Sequence, residues 1–553
     1  MSQLGWIAGP LTMLAFSSVA LTSVLCIWNC YKSPDPDYGP VRNGSYFDAV
    51  RAILGQYRDQ IVTIVKGIKL LATTGLLITC LHLELFKPSC LKYLIFRIPT
   101  RLSLLFVSFN ACVPTSEISG NVWTALAHII TAVIGSGVLS LAWSMSQLGW
   151  IAGPLTMLAF SSVALTSVFC IWNCYKSPDP DYGPVRNGSY LDAVRAILGK
   201  RNAWVCGIIV QLNFIKIGIV YTITSSISMR AIQRSNCYHS EGHKASCNYG
   251  ITYYMLAFGI IQAIVSQIPD FQNTEWLSVI AAIMSFSYSI IGSALGLGKV
   301  IENGDIKGSI GGVPTSTTAE KVWTISQALG DIAFGFQFSL VFLEIQDTLK
   351  SNPLERVIMK NASIMAVGIT TFFYLCCGGL GYAAFGNSTP GNLLTGFGFY
   401  EPYWLVDFAN ACIVLHLVGG YQVYTQPLFA NTERWIVKKF PDRKILHEDY
   451  ILKPIPRLRL NLLRLCFRTC YVAFTTGFGI LFPYFNQVVG VAGTINFWPI
   501  AVYFPVEMYL VQKNIGPLTK KSIILRVYSF ITLIVILYAF IGSLKGLIMA
   551  RSS

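Results

Sequence analysis

Charge is scarce in this chain. Only 12% of its 553 residues are Asp, Glu, Lys or Arg, about half of what a soluble protein carries. That shortage excludes an ordinary water-soluble domain. Strand-length stretches of alternating apolar and polar residues are missing too, so nothing supports a membrane β-barrel. The chain has no glycine-rich phosphate loop, no His/Cys cluster at metal-ligand spacing and no strand–turn–helix nucleophile motif. The expectation is therefore no enzyme, no metal and no cofactor. The first residues lack a basic stretch, so no cleavable signal peptide is expected.

What the chain does have is apolar length. Its residues are 53% hydrophobic, with a mean hydropathy of +0.55. Apolar runs of around 20 residues recur, the length that spans a bilayer as a helix. The fold class is an all-α polytopic membrane protein. A formal charge of +15 would point to nucleic acid in a soluble chain. Here the positive residues lie mostly in loops between spans, where they set orientation. Lipid bilayer is the expected surrounding, and nucleic acid is not an expected partner. The 15 cysteines fall mostly inside apolar runs, as small core residues do.

One apolar stretch is interrupted at its centre. Asn121 to Trp143 reads NVWTALAHIITAVIGSGVLSLAW, with Gly135-Ser136-Gly137 in the middle. Lipid supplies no hydrogen bonds, so a spanning helix unwinds only where protein or a water-filled site receives its backbone groups. Two readings stand: a substrate site, or glycines that let helices pack closely.

Residues 1–55 and 145–199 match at a constant offset of 144, differing only at Leu25/Phe169 and Phe47/Leu191. Transporter repeats are weak hydropathy symmetries, so this near identity reads as duplication or as two joined genes. The copy starts at Met1, the equivalent of Met145, and so lacks the interrupted helix. Residues 56–118 form a connector of uncertain structure, with Leu70–Phe86 and Tyr93–Val113 as marginal spans or translated non-coding sequence. The transport-type core is 119–553.

Eleven spans are expected in that core, near 121–143, 149–172, 203–228, 252–268, 275–297, 323–345, 362–385, 404–429, 465–483, 486–510 and 523–547. The loops after the second, sixth, eighth and tenth are rich in Lys and Arg, the eighth most of all (Arg434 to Arg464). Those loops then face the cytoplasm, with the core's amino end inside and its carboxyl end outside. Cys237 and Cys247 fall in an outer loop, as disulfide candidates or free thiols. Asn387-Ser388-Thr389 is an outer glycosylation sequon.

The sixth span reads VWTISQALGDIAFGFQFSLVFLEIQDTL. Gly330-Asp331 and Gly335 interrupt it. Two interrupted helices five spans apart fit two five-helix halves of opposite topology with a site at their interface. A zwitterion suits such a pair. The amino end of a half-helix offers free amides and a positive dipole to a carboxylate, and exposed carbonyls receive an ammonium. Substrate contacts are expected from Ile134, Gly135, Ser136, Gly137, Phe334, Gly335 and Phe336, with Tyr221 and the two phenylalanines as lids.

Long motifs then identify a resemblance over about residues 120 to 550. They include VWTALAHIITAVIGSGVLSLAWSMSQLGWIAGP, YKSPDPDYGPVRNGSYLDAV, EWLSVIAAIMSFSYS, EKVWTISQALGDIAF, LEIQDTLKS and INFWPIAVYFPVEMY. The core resembles plant-type amino acid permeases of the amino acid/auxin permease family. The resemblance implies the fold of the bacterial leucine transporter, with inverted five-helix repeats and an eleventh span. It also implies inward symport of amino acids with protons, usually at the plasma membrane, with the proton gradient as driving force. Three features depart from the family pattern. The amino end carries the copy and the connector. The sixth-span break reads AFGFQFS where the family has sequences like AFAYPYS. Lys216 stands in the third span where a small or neutral residue is expected, as a mimic of a coupling cation or as damage in a decaying copy.

Proton-coupling candidates are Asp331, His128 and Lys216, the ionisable groups nearest the breaks. Asp331 has capping of a half-helix as its rival role, and His128 and His416 have plain core packing. Glu344 and Asp347 are expected at a cytoplasmic gate ion pair, and Asp407 and Glu507 in structural pairs. Besides a proton-coupled symporter, two other classes fit: an amino acid sensor without net transport, and a non-functional product of a fused or decaying gene.

Overall fold

The computed structural model describes residues 32–33, 41–42 and 122–552, apart from 181, 243–244, 269–274, 350–354, 398–402, 441–448 and 452–458. The connector and most of the leading copy lie outside the described residues. The chain divides into two compact units, Met1–Glu117 and Ile118–Ser553. In the first, β1 (Lys32–Ser33) pairs antiparallel with β2 (Val41–Arg42). In the second, β3 (Lys176–Ser177) pairs with β4 (Val185–Arg186) in the equivalent register. The duplicated strand sequences thus pair in the same register in both copies.

The second unit is helical, and eleven successive segments cover the expected spans. The first is α1 (Val122–Val133), a tight turn Ser136–Ser140 and the start of α2 (Leu141–Ile171). A kink at Gly149 splits α2, and the second segment follows it. The third is α3 (Tyr190–Glu241) beyond its kink at Gly199. The fourth and fifth are α4 (Ile251–Val265) and α5 (Glu275–Asn303). The sixth joins α6 (Thr318–Gly335) to α7 (Phe342–Asp347). The seventh to ninth are α8 (Glu355–Phe385), α9 (Tyr403–Lys439) and α10 (Leu462–Leu481). The tenth runs α11 (Phe485–Thr494), a wide turn Trp498–Tyr503 and α12 (Phe504–Gln512). The eleventh is α13 (Lys520–Ser552). Among the described residues, seven helical units are long and apolar enough to cross a membrane.

Gly149 has φ +82°, and a Cβ there would come 2.1 Å from the Ile310 carbonyl oxygen. Only glycine allows that turn and that close approach. The chain thus bends sharply between the first two spans, under the loop that follows α5.

Side-chain exposure follows the bilayer. α13 shows Ile524, Phe530, Ile534 and Ile548 outward, a stripe that water would penalise and lipid accepts. The interior is mainly apolar but also holds many polar side chains. Hydroxyls of Thr222, Thr224, Ser226 and Thr425 each donate to the carbonyl four residues back, which hides them inside their own helices.

Two ends of the bundle are distinguished by their contacts. At one end lie Lys176 bonded to Glu355, Gln512 to the Lys176 carbonyl, and Arg468 to Glu433. At the other lie the end of the first span, the loop after α5 and the start of α11, joined by Val313 N–H to the Ser146 carbonyl at 2.8 Å. Consecutive segments alternate between these ends. The basic loops share the first end, and Cys237 and Cys247 share the second.

Candidate functional site

The first break lies where the sequence placed it. The Ile134 amide still bonds back to Ile130, but Gly135 leaves the helix at φ −119°, ψ −146°. The freed carbonyls are received by tyrosines and a serine from other spans. Ser285 Oγ donates to the Ile134 oxygen at 2.8 Å. Tyr288 Oη lies 3.1 Å from the oxygens of both Ile134 and Gly135. Tyr424 Oη donates to Ala132 at 3.2 Å. The Ser136 hydroxyl, beyond the break, is buried with no partner among the described residues.

The sixth-span break adjoins the Phe334 to Phe336 stretch that the sequence marked, and not Gly330-Asp331. Helix α6 runs unbroken through Gly330 and Asp331 to Gly335, and the chain unwinds between Phe336 and Val341. Gly330 is a packing residue. A Cβ on it would lie 2.7 Å from the Gly490 carbonyl oxygen, so it lets α6 and α11 touch backbone to backbone. Asp331 therefore caps no half-helix. It is fully buried in α6, and neither carboxylate oxygen has a hydrogen bond of good geometry. The nearby Ser144 hydroxyl is bonded to the Ser140 carbonyl instead, at 3.2 Å.

The two breaks meet. A Cβ on Gly137 would fall 3.0 Å from Gly335 Cα and 3.1 Å from Phe334 Cδ1. Tyr374 joins them chemically, its hydroxyl 2.8 Å from both the Val133 and the Gly335 oxygens. The ring of Phe336 packs edge-on against Tyr374 at 5.2 Å. Tyr221 sits on the opposite side of the first break, its hydroxyl 3.4 Å from where a Gly135 Cβ would be. The arrangement gathers Ile134 to Gly137, Tyr221 and Phe334 to Phe336 around one point. Tyr288, Ser285 and Tyr374 also belong to it, and no local sequence signal marks them.

Tyr374→Phe should keep the ring packing and remove the bridge. Two carbonyls then lose a donor, at roughly 1–3 kcal/mol. Uptake per molecule at the membrane should fall about tenfold, since each 1.4 kcal/mol is a factor of ten. Unchanged uptake at equal surface abundance would show the bridge to be incidental.

Lys216 stands outside this ring but touches it. Its Nζ donates to Gln337 Oε1 at 2.5 Å, to the Ala492 carbonyl at 2.5 Å and to Asn496 Oδ1. Gln337 follows Phe336 in the unwound segment, and its own amide donates to the Gly493 carbonyl at 2.9 Å. The ammonium is thus held by three oxygens from the sixth and tenth spans. His128 is half-buried on α1. His416 is buried, with Nδ1 near Ser285 Oγ and the Ala281 carbonyl.

The basic end is closed by polar contacts. Glu355 pairs with Lys176 at 3.0 Å and Arg186 at 3.5 Å, where Glu344 and Asp347 were the expected acids. Asp347 instead accepts from the Tyr175 hydroxyl at 2.7 Å. Burial and that carboxylate push the Tyr175 phenol above its ordinary pKa, which keeps it a donor. Glu507 pairs with Arg526.

At the other end Cys237 and Cys247 form a disulfide. Cys237 lies in the last turns of α3, which runs to Glu241, and not in a loop. Cys237, Glu241 and Cys247 lie close enough to share an ion, but both sulfurs are bonded to each other and offer no thiolate.

The family described as "Transmembrane amino acid transporter protein" matches residues 1–116 and 119–549. "Probable amino acid permease 7" of Arabidopsis thaliana is 56% identical over 439 residues, covering 78% of this chain and 94% of that protein. "Amino acid permease 3" of the same plant is 52% identical over 440 residues, covering 79% and 92%. Among solved structures, that of MhsT in complex with L-phenylalanine matches with a TM-score of 0.47 and 12% identity, over 76% of this chain and 98% of that one.

Proposed function

The chain belongs to the transmembrane amino acid transporter family, and on that premise we propose that it is a proton-coupled amino acid symporter working by alternating access. It is an integral multi-pass membrane protein and a transporter, not an enzyme. The observation that carries the site is the meeting of Gly137 with Gly335. There the amino end of one half-helix faces the carboxyl end of another. The first offers amides and the positive end of a dipole to a carboxylate. The second offers carbonyls to an ammonium. An α-amino acid carries both groups, and in this reading Tyr221, Phe334 and Phe336 surround its side chain.

The basic loops argue for a cytoplasmic end at the Lys176–Glu355–Arg186 cluster. The disulfide argues for an oxidising compartment at the other end. In this reading the transporter is closed inside by ion pairs, and release inward requires Glu355 to let go of both cations. The membrane is most simply the plasma membrane, with the core's amino end inside.

Substrate-evoked inward current that grows as external pH falls is the test. Specific binding without current would favour a sensor. Asp331 is our coupling carboxylate, because it is a buried acid without an established partner in the helix that ends at the break. Asp331→Asn mimics the protonated acid at nearly the same volume. It should abolish the rise of current with acidity while leaving downhill amino acid exchange. A variant that keeps the wild-type pH dependence would remove Asp331 from the proton path.

A further inference from the structure

Next to the site, at the end that bears the disulfide, the bundle holds a cavity of about 580 Å³. That is well within the range of ligand pockets. Its apolar wall includes Trp143 and Phe485. Trp143 lies six residues beyond Gly137 on the same helical run, about 10 Å along the axis. The cavity thus lies on the disulfide side of the paired breaks.

Its charge is one-sided. Arg230 and Arg234 both line it, and among the described residues no carboxylate does. They are one turn apart on α3, so they share a face. Neither makes an ion pair among the described residues. Arg234 lies 5.7 Å over the ring of Tyr238. Arg230 is half-buried. A guanidinium keeps its proton in proteins, so the pair presents two positive charges to the cavity. Asp407 stands behind the wall, beside Ser235 and His239. Two buried amides complete the lining. Asn392 Nδ2 and Asn486 Oδ1 have no hydrogen-bond partner among the described residues, and Asn392 is already held by its Oδ1, which accepts the Leu394 amide at 3.1 Å. A buried amide left open is unusual unless a ligand or water completes it.

We propose that this cavity captures the carboxylates of incoming acidic amino acids, through Arg230, Arg234 and the Asn392 amide, and turns away cationic ones. An acidic substrate brings two carboxylates and a net negative charge. A planar guanidinium binds each carboxylate through two parallel hydrogen bonds. A cationic amino acid meets two like charges at the mouth instead. The cavity sets which amino acids arrive at the breaks and how fast, while the breaks bind the backbone groups common to all of them. The inference rests on the transport reading above and on the disulfide end facing outward.

The test uses the full chain in cells deficient in amino acid uptake. Labelled L-alanine uptake is measured with L-glutamate or L-lysine as competitor, at low and at physiological ionic strength with constant osmolarity. Wild type should be inhibited by glutamate more strongly at low salt, because the Debye length shortens from about 30 Å at 0.01 M to about 8 Å at 0.15 M. In the double variant R230Q/R234Q the glutamate inhibition constant should rise about tenfold relative to the alanine KM, within the range of electrostatic focusing. Its salt dependence should vanish, and lysine should become the better competitor. If the double variant does not reach the membrane, R234Q alone, at an exposed side chain, carries the same measurements. Equal glutamate-to-alanine ratios and equal salt slopes in wild type and variant would overturn the proposal. So would parallel losses for alanine and glutamate. A wild type that carries no amino acid would sink the transport reading itself, which is a different result.

Discussion

Gly137→Val should reduce amino acid uptake by on the order of 100-fold while the protein still reaches the membrane. The reason is geometric. At Gly137 a first side-chain carbon would already lie 3.0 Å from Gly335 Cα, 3.1 Å from Phe334 Cδ1 and 3.3 Å from the Gly335 nitrogen. Two of those atoms are backbone and cannot swing away. Valine adds two more carbons at the stiffest branch point. The two breaks must separate, and overpacking of this kind costs roughly 1–3 kcal/mol. That is small against the stability of a large bundle, so folding and delivery should survive. Function should not, because a displacement of about 1 Å between groups that share a substrate can cost on the order of 100-fold. Gly135 makes the control. A Cβ there meets only the Tyr221 hydroxyl at 3.4 Å, an ordinary contact at a side-chain tip. Gly135→Ala should lose far less. Surface labelling and uptake, measured together, decide between them. Equal losses at both positions would mean that the glycines act through local helix flexibility and not through the contact between the breaks.

The contrast between these glycines bears on what a sequence can reveal. Gly135-Ser136-Gly137 was readable as a break because two glycines flank a small polar residue inside an otherwise clean apolar run. In the sixth span the same reasoning marked Gly330-Asp331 as well as the Phe334 to Phe336 stretch, and only the second adjoins the unwound segment. Glycine in a membrane helix serves two purposes, unwinding and close packing, and the choice depends on the neighbouring helix. Gly330 faces Gly490 across α11, a fact held in a segment about 160 residues away in the sequence. The order and number of spans were legible from hydropathy, and the alternation of their ends from the Lys and Arg of the loops. The receivers of the broken backbone were not. Tyr288 and Tyr374 look like any aromatic residue in an apolar run until the fold brings their hydroxyls to Ile134, Val133 and Gly335. The acid of the closed end was misassigned for the same reason. Glu355 starts α8, and only the fold sets it between Lys176 and Arg186.

Lys216→Met should abolish uptake, by at least about 30-fold, and lower the melting temperature of the solubilised protein. A lysine deep in a membrane protein is costly unless it is well received. Here no carboxylate receives it among the described residues. Three oxygens do, from Gln337, Ala492 and Asn496. Asn496 is itself oriented by its amide, which donates to Asn213 Oδ1 at 3.2 Å. Gln337 is oriented by its bond to the Gly493 carbonyl. Oxygens turned toward one donor are how a protein holds a cation, and Lys216 Nζ stands at that centre. It ties the unwound segment of the sixth span to the tenth, so its loss should loosen the break that holds substrate. Methionine has nearly the length of lysine but donates nothing. Three oriented acceptors would then face an apolar chain, at roughly 1–3 kcal/mol for each left unmet. Lys216→Arg keeps the charge but spreads it over a planar fork that cannot sit at one point among three oxygens, so it should rescue little. A small polar residue distinguishes the two histories open to this lysine. If Lys216 is damage in a decaying copy, Lys216→Ser should raise uptake. If the ammonium holds the break, Lys216→Ser should lower uptake as methionine does, and the sign of that single change decides.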